Sequence, residues 1–198
     1  MNKLKIFTVL FLAILIFSKW DASEARTVFR PDTLCAGDEA PQFVMRNLMT
    51  NTAVFLRDYT GKKLREIWKK KERHVVVLSF WATWCQPCKN EITILTKLAE
   101  SYKDQKVKFF LINTLEKAEL TEDSVRNTYR NRDYTIPCLV DPAGRYAGRY
   151  SIRGLPVLIV IDKFGIVRKI NRGNHKNFEV ELETLLNQLL GESEYKEK

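Results

Sequence analysis

Hydrophobic positions change their spacing several times along the chain, and each change marks an element. From Gln42 to Asn47 and from Thr52 to Asp58, two short extended segments flank a polar turn, and Thr60-Gly61-Lys62 ends the second. Leu64, Ile67 and Trp68 then fall at i, i+3 and i+4, predicting a brief helix over residues 63–71. Val75-Val76-Val77-Leu78-Ser79-Phe80 is nearly continuous β-branched and apolar sequence, the pattern of a strand covered on both faces. Asn90 to Tyr102 returns to helical spacing, with Ile92, Leu95, Leu98 and Ala99 on one side. Val107 to Ile112 predicts a second buried strand, and Leu120 to Arg130 a second helix. Pro156 to Ile161 and Ile166 to Ile170 read as strands joined by a hairpin turn at Asp162-Lys163-Phe164-Gly165. The helix predicted over Val180 to Leu190 turns Leu182, Leu185, Leu186 and Leu189 inward. A parallel strand–helix–strand unit followed by an antiparallel hairpin and a helix describes an α/β protein, a mixed sheet flanked by helices.

The N-terminal pattern belongs to a different class. Lys3 and Lys5 precede an apolar run over residues 6–17, and Ser23-Glu24-Ala25 supplies small side chains after it. The run is shorter than the ~20 residues of a membrane span, so residues 1–25 are expected to be a signal peptide cleaved after Ala25. An uncleaved anchor is the alternative. Cys35 is not expected to be lipidated, because the large Leu34 precedes it and the apolar run lies far upstream. Residues 26–36 form a lead-in, residues 37–191 the domain, and residues 192–198 a polar tail.

Charge adds less. The chain carries a formal +9, and loss of Lys3, Lys5, Lys19, Asp21 and Glu24 with the leader removes a net single positive charge. The basic character therefore stays with the domain. Its lysines and arginines are dispersed and accompany no nucleic-acid motif, so no nucleic-acid partner is expected. The charge reads first as a solvated basic surface, with peripheral association with an anionic membrane or attraction to acidic proteins as the functional alternatives.

The chemistry concentrates in Trp81-Ala82-Thr83-Trp84-Cys85-Gln86-Pro87-Cys88, directly after the buried strand and at the opening of a helix. Two cysteines three apart on a helix share a side and can form a disulfide. Cys85 stands where unpaired N–H groups and the helix dipole favour an anion, which lowers the thiol pKa and supplies a nucleophilic thiolate. Cys88, in the first turn, is the shielded resolving thiol, and Pro87 occupies a position where a missing N–H goes unnoticed. A structural zinc site would need two further ligands. Cys35, Cys138, His74 and His175 lack the spacing for one, so no metal is expected.

Gly37-Asp38-Glu39-Ala40-Pro41-Gln42-Phe43, the run from Phe80 to Cys88, and Gly154-Leu155-Pro156 together resemble the thioredoxin superfamily. Within it they are most similar to the TlpA/ResA branch of extracytoplasmic thiol–disulfide oxidoreductases. The resemblance implies a thioredoxin fold with an N-terminal β-hairpin extension and no bound cofactor. It further implies reduction of disulfides in exported cysteine-containing proteins, as in cytochrome c maturation, with a membrane thiol reductant behind it. Pro156 matches the family's cis-proline, beside which the backbone pairs with an extended substrate. Trp84, Pro87, Leu155 and Pro156 would line that substrate. Glu91, three residues after Cys88, matches a family carboxylate that exchanges protons with the thiols, although a helix-start glutamate has an electrostatic reason of its own. The chain departs from cytoplasmic thioredoxins at Ser79, where those carry a buried aspartate. Proton handling then falls to Glu91 or water.

Cys35 and Cys138 leave three readings open: a structural disulfide, two unpaired thiols, or a relay to the dithiol. The bridge would close about a hundred residues and stabilise by ~3–5 kcal/mol on the entropic model. The same dithiol also suits a disulfide donor or isomerase, which differs only in direction. A peroxidase would hold threonine at position 82, where this chain has Ala82, and a copper- or haem-binding module would need a better placed histidine than His74 or His175.

Overall fold

The computed structural model describes residues 33–65, 72–173 and 176–192. The expected leader, most of the helix expected over residues 63–71, and tail residues 193–198 lie outside the described residues. Seven strands form one sheet: β1 (Val44–Asn47), β2 (Ala53–Phe55), β3 (Val75–Trp81), β4 (Val107–Asn113), β5 (Cys138–Val140), β6 (Val157–Ile161) and β7 (Val167–Arg172). Their spatial order is β2-β1-β5-β4-β3-β6-β7. Among the described residues, four α-helices accompany them, α1 (Gln86–Ser101), α2 (Glu122–Arg130), α3 (Arg145–Arg149) and α4 (Phe178–Gly191), with a 3-10 turn at Leu56–Asp58.

β3 lies near the middle of the sheet and is buried at every position, as its apolar run requires. It runs parallel to β4, with Val75 opposite Val107 and Trp81 opposite Asn113, and antiparallel to β6. Successive β3 side chains point to opposite faces. Val75, Val77 and Trp81 pack with Ile92, Leu95 and Leu98 of α1, Val125 and Tyr129 of α2, and Leu182, Leu186 and Leu189 of α4. Val76, Leu78 and Phe80 face the other side, with Leu56, Ala147 and Tyr150. Leu185, expected inward, is only partly buried at the margin of the first cluster.

The structure adds elements to the expected plan. Between β4 and the final hairpin lies a second parallel crossover, β4–α2–β5, in which Leu111 pairs with Cys138. The N-terminal hairpin, β1 with β2, then joins the sheet through β5, Arg46 opposite Val140. β5 is three residues long and follows Pro137, too short to leave a periodic trace. The short helix α3 begins after Gly144, and the carboxylate of Asp141 accepts the N–H groups of Tyr146 and Ala147. At the β6–β7 turn, Asp162 Oδ1 accepts from the N–H groups of Phe164 and Ile166. Gly165 there has φ +87°, and a Cβ on it would meet the Gly61 backbone at 3.0 Å.

Candidate active site

The carboxyl ends of the parallel strands β3 and β4 come to one edge of the sheet, and the loops beyond them build the site. β3 ends at Trp81, four residues later Cys85 caps α1, and the backbone of Cys85 (φ −83°, ψ 97°) is still extended. Its sulfur accepts the Cys88 N–H at 3.2 Å. A helix start leaves such N–H groups without backbone acceptors, so the sulfur of Cys85 takes the place an N-cap oxygen usually fills. Cys85 and Cys88 are disulfide-bonded, with their Cα atoms 5.3 Å apart. They are 2% and 0% exposed, packed in the cluster under α1. Pro87 lies in the first turn of α1, on its exposed side.

Glu91 is the unusual charge of the site. It is only 3% exposed, and its Oε1 accepts from Ser79 Oγ at 2.8 Å. Burial pushes its carboxyl up to about 7, against a smaller downward pull from the Ser79 hydroxyl. The serine that replaces an aspartate at position 79 thus holds the carboxylate supplied by the neighbouring helix. Glu91 also lies one helical turn from Cys88, on the same side of α1.

Glu116, which sequence reading passed over, organises the approach to the dithiol. Its Oε1 accepts from the Thr83 N–H and from Asn113 Nδ2, each at 2.7 Å, and its Oε2 accepts from Thr83 Oγ1 at 2.7 Å. One residue earlier, the Leu115 carbonyl accepts from Trp84 Nε1 at 2.9 Å. The loop after β4 therefore grips the loop after β3 on both residues that precede Cys85. Trp84 is held by its indole N–H yet stays 47% exposed, a large apolar surface beside the sulfur. Only the strand register, which brings Trp81 beside Asn113, relates these loops; no local motif links Glu116 to Thr83.

On the other flank, the Leu155–Pro156 peptide is cis. Val157 pairs with Phe80, so Pro156 stands beside the end of β3 that leads into the dithiol loop. The Pro156 carbonyl accepts from the Gly173 N–H at 2.9 Å, whereas Leu155 has no backbone hydrogen-bond partner among the described residues. Leu155 packs against the cluster that contains both dithiol cysteines.

Cys35 and Cys138 are not brought together. The turn holding Cys35 borders β7, where the Gly37 N–H donates to the Val167 carbonyl at 2.7 Å. Cys138 lies in β5, four strand spacings away in the sheet order. At ~4.8 Å per spacing the separation is far beyond the ~7 Å that a disulfide spans between Cα atoms, so the expected structural bridge is corrected: Cys35 and Cys138 are not disulfide-bonded to each other. The Cys138 thiol is fully buried, and burial pushes it up to about 12, which removes it from thiolate chemistry. Among the described residues, no group of three or more His, Cys, Asp and Glu side chains is placed to hold a metal ion.

The model of the AhpC/TSA family matches residues 36–170. The chain is 33% identical over 135 residues to the thiol-disulfide oxidoreductase ResA of Bacillus cereus, covering 68% of either protein. The chain belongs to the AhpC/TSA family and is a thiol–disulfide oxidoreductase of the ResA type. A second relative, the thioredoxin-like protein YneN of Bacillus subtilis, is 32% identical over 145 residues, covering 73% of this chain and 76% of the relative. Among solved structures, the pneumococcal exposed lipoprotein thioredoxin Etrx1 of Streptococcus pneumoniae superposes with a TM-score of 0.59 at 28% identity. That match covers 75% of this chain and all of Etrx1. The thioredoxin-like superfamily protein SPOA0173 reaches 0.66 at 24% identity, covering 78% and 97%, a likeness of fold. The arrangement places the Cys85–Cys88 disulfide, the buried Glu91 carboxyl of near-neutral pKa and the Glu116 carboxylate that holds the loop before Cys85 at one edge of the sheet.

Proposed function

We propose that the protein is exported and reduces disulfides of extracytoplasmic cysteine-containing proteins, with apocytochromes c among its targets. The observation that carries this reading is the Cys85 sulfur at the N-terminus of α1, accepting a backbone N–H, with Glu91 buried one turn beyond Cys88. In the reduced protein the Cys85 thiolate attacks one sulfur of the target disulfide. An S–S bond forms between protein and target, and the other target sulfur leaves as a thiolate that takes up a proton. Glu91 then accepts the Cys88 proton, and the Cys88 sulfur attacks Cys85. The second target sulfur departs and is protonated, the Cys85–Cys88 bond closes, and two electrons have passed to the target. A membrane thiol reductant returns them.

Trp84, Pro87 and Leu155 with Pro156 surround the entry to the dithiol, and the unpaired backbone of Leu155 suits an extended polypeptide. The basic surface favours peripheral contact with an anionic membrane. Redox titration of the Cys85–Cys88 couple in a Cys35→Ser background, together with insulin reduction, tests the direction. A potential well below about −200 mV with rapid reduction supports the reading, and one near the ~−120 mV of strong oxidants reverses it to a disulfide donor. Export is tested separately by the mass of the mature protein, expected to begin at Arg26.

A further inference from the structure

β7 carries a row of cations that differ in what they touch. Arg168 binds both carboxylate oxygens of Glu192, at 2.9 and 3.0 Å, and Lys169 pairs with Glu181 at 2.5 Å. Arg172, at the end of the strand nearest Pro156, has no acidic partner among the described residues. One Nη1 N–H donates to the Ser151 carbonyl at 3.1 Å, which fixes the guanidinium and leaves its remaining donors open. Arg172 sits opposite Val157, the residue after Pro156. Arg153, two residues before Leu155, likewise pairs with no carboxylate among the described residues, and both arginines are exposed.

These two side chains line one cavity of about 420 Å³, together with Gly154, Leu155, Pro156 and Gly173. Thr33 and Ser151 also border it, and among the described residues no acidic side chain lines it. A Cβ at Gly154 or Gly173 would meet nothing within 4 Å, so the floor beside the cis peptide is open to another chain. The backbone of residues 153–155 makes no backbone hydrogen bond among the described residues.

We propose that this cavity is a subsite for a carboxylate side chain close to the target disulfide, so that the protein selects acidic cysteine-bearing segments. The inference rests on the proposed function and deepens it by naming a substrate class. Guanidinium groups bind carboxylates through paired, charge-assisted hydrogen bonds, and two of them beside an extended backbone read charge at a fixed distance from the attacked sulfur. The rest of the basic surface attracts acidic chains without that register.

The test uses the full chain, reduced, with peptides that contain one disulfide and differ only in Glu, Gln or Lys beside the cysteines. The expected ratio of kcat/KM for Glu over Lys is about tenfold at low salt, falling toward unity at 0.5 M salt, as exposed pairs are screened. In Arg153→Gln/Arg172→Gln the ratio collapses. In Lys97→Gln/Lys108→Gln, where the same two charges are removed from α1 and from the opposite end of β4, it persists. The ratio cancels any general loss of activity, and the salt series on the unaltered protein needs no variant to fold. Equal rates for the three peptides, or equal loss of the ratio in both double variants, overturns the subsite. Failure to reduce even the neutral hydroxyethyl disulfide overturns the proposed function instead.

Discussion

At the scale of single residues, the site depends on how burial changes the acidity of one carboxyl group. Glu91 is buried against Ser79, and its carboxyl rises from an ordinary 4.5 to about 7. The raised value means that the folded protein binds more protons than the unfolded chain between those two values. The stability linked to Glu91 is therefore complete below pH 4.5, declines as pH climbs, and is lost above about 7. Its size is ~3 kcal/mol from the shift. Urea unfolding of oxidised Glu91→Gln should lose this decline and exceed the parent protein in stability above pH 7. The same variant should slow release of the target by about a hundredfold and remove the inflection near pH 7 from single-turnover rates. Cys88 and Glu91 were legible as a pair in the sequence through their spacing on one helix. The hydrogen bond from Ser79 was not, because it crosses from strand to helix and only packing brings the two together.

At the scale of elements, the dithiol is only as well placed as the loop that carries it. Glu116 holds Thr83 through two hydrogen bonds and Asn113 through a third. Glu116→Ala leaves those donors without their acceptor and should destabilise by ~1–3 kcal/mol in denaturant unfolding. Turnover of protein disulfides should fall as well, chiefly through KM, since Trp84 loses the fixed position of its neighbour, and a change in Trp84 fluorescence should accompany it. Glu116 carries no motif and was invisible in the sequence, as were β5 and α3, whose three and five residues are too few for a period to register. The long elements were plain. β3 and α1 announce themselves by an unbroken apolar run and by a stripe at Ile92, Leu95 and Leu98. Ile92→Ala, at a site with no exposure, should cost ~2–5 kcal/mol in the same unfolding experiment.

At the scale of the whole molecule, the sheet explains both the site and the separation of the remaining cysteines. Parallel β3 and β4 end together, so their loops meet, while β6 returns antiparallel and delivers Leu155 and Pro156 to the same edge. The order β5-β4-β3-β6-β7 keeps Cys138 and Cys35 on opposite flanks of the dithiol. Sequence pairing of leftover cysteines failed here because it counts thiols without knowing which strands separate them. The fold class and the dithiol were legible because each rests on a local pattern. The second crossover and the arginine-lined cavity required the sheet order and register. Replacing Cys35 by serine should therefore leave the melting temperature of the oxidised protein within about 2 °C, where loss of a structural bridge would lower it by far more.

The most direct test follows the alkylation rate of Cys85 in the reduced protein across pH, resolved by mass spectrometry from Cys35, Cys88 and Cys138. Stabilisation by the amide groups opening α1 predicts an apparent pKa below about 7.5, whereas a value at the ~8.5 of an ordinary thiol contradicts the account.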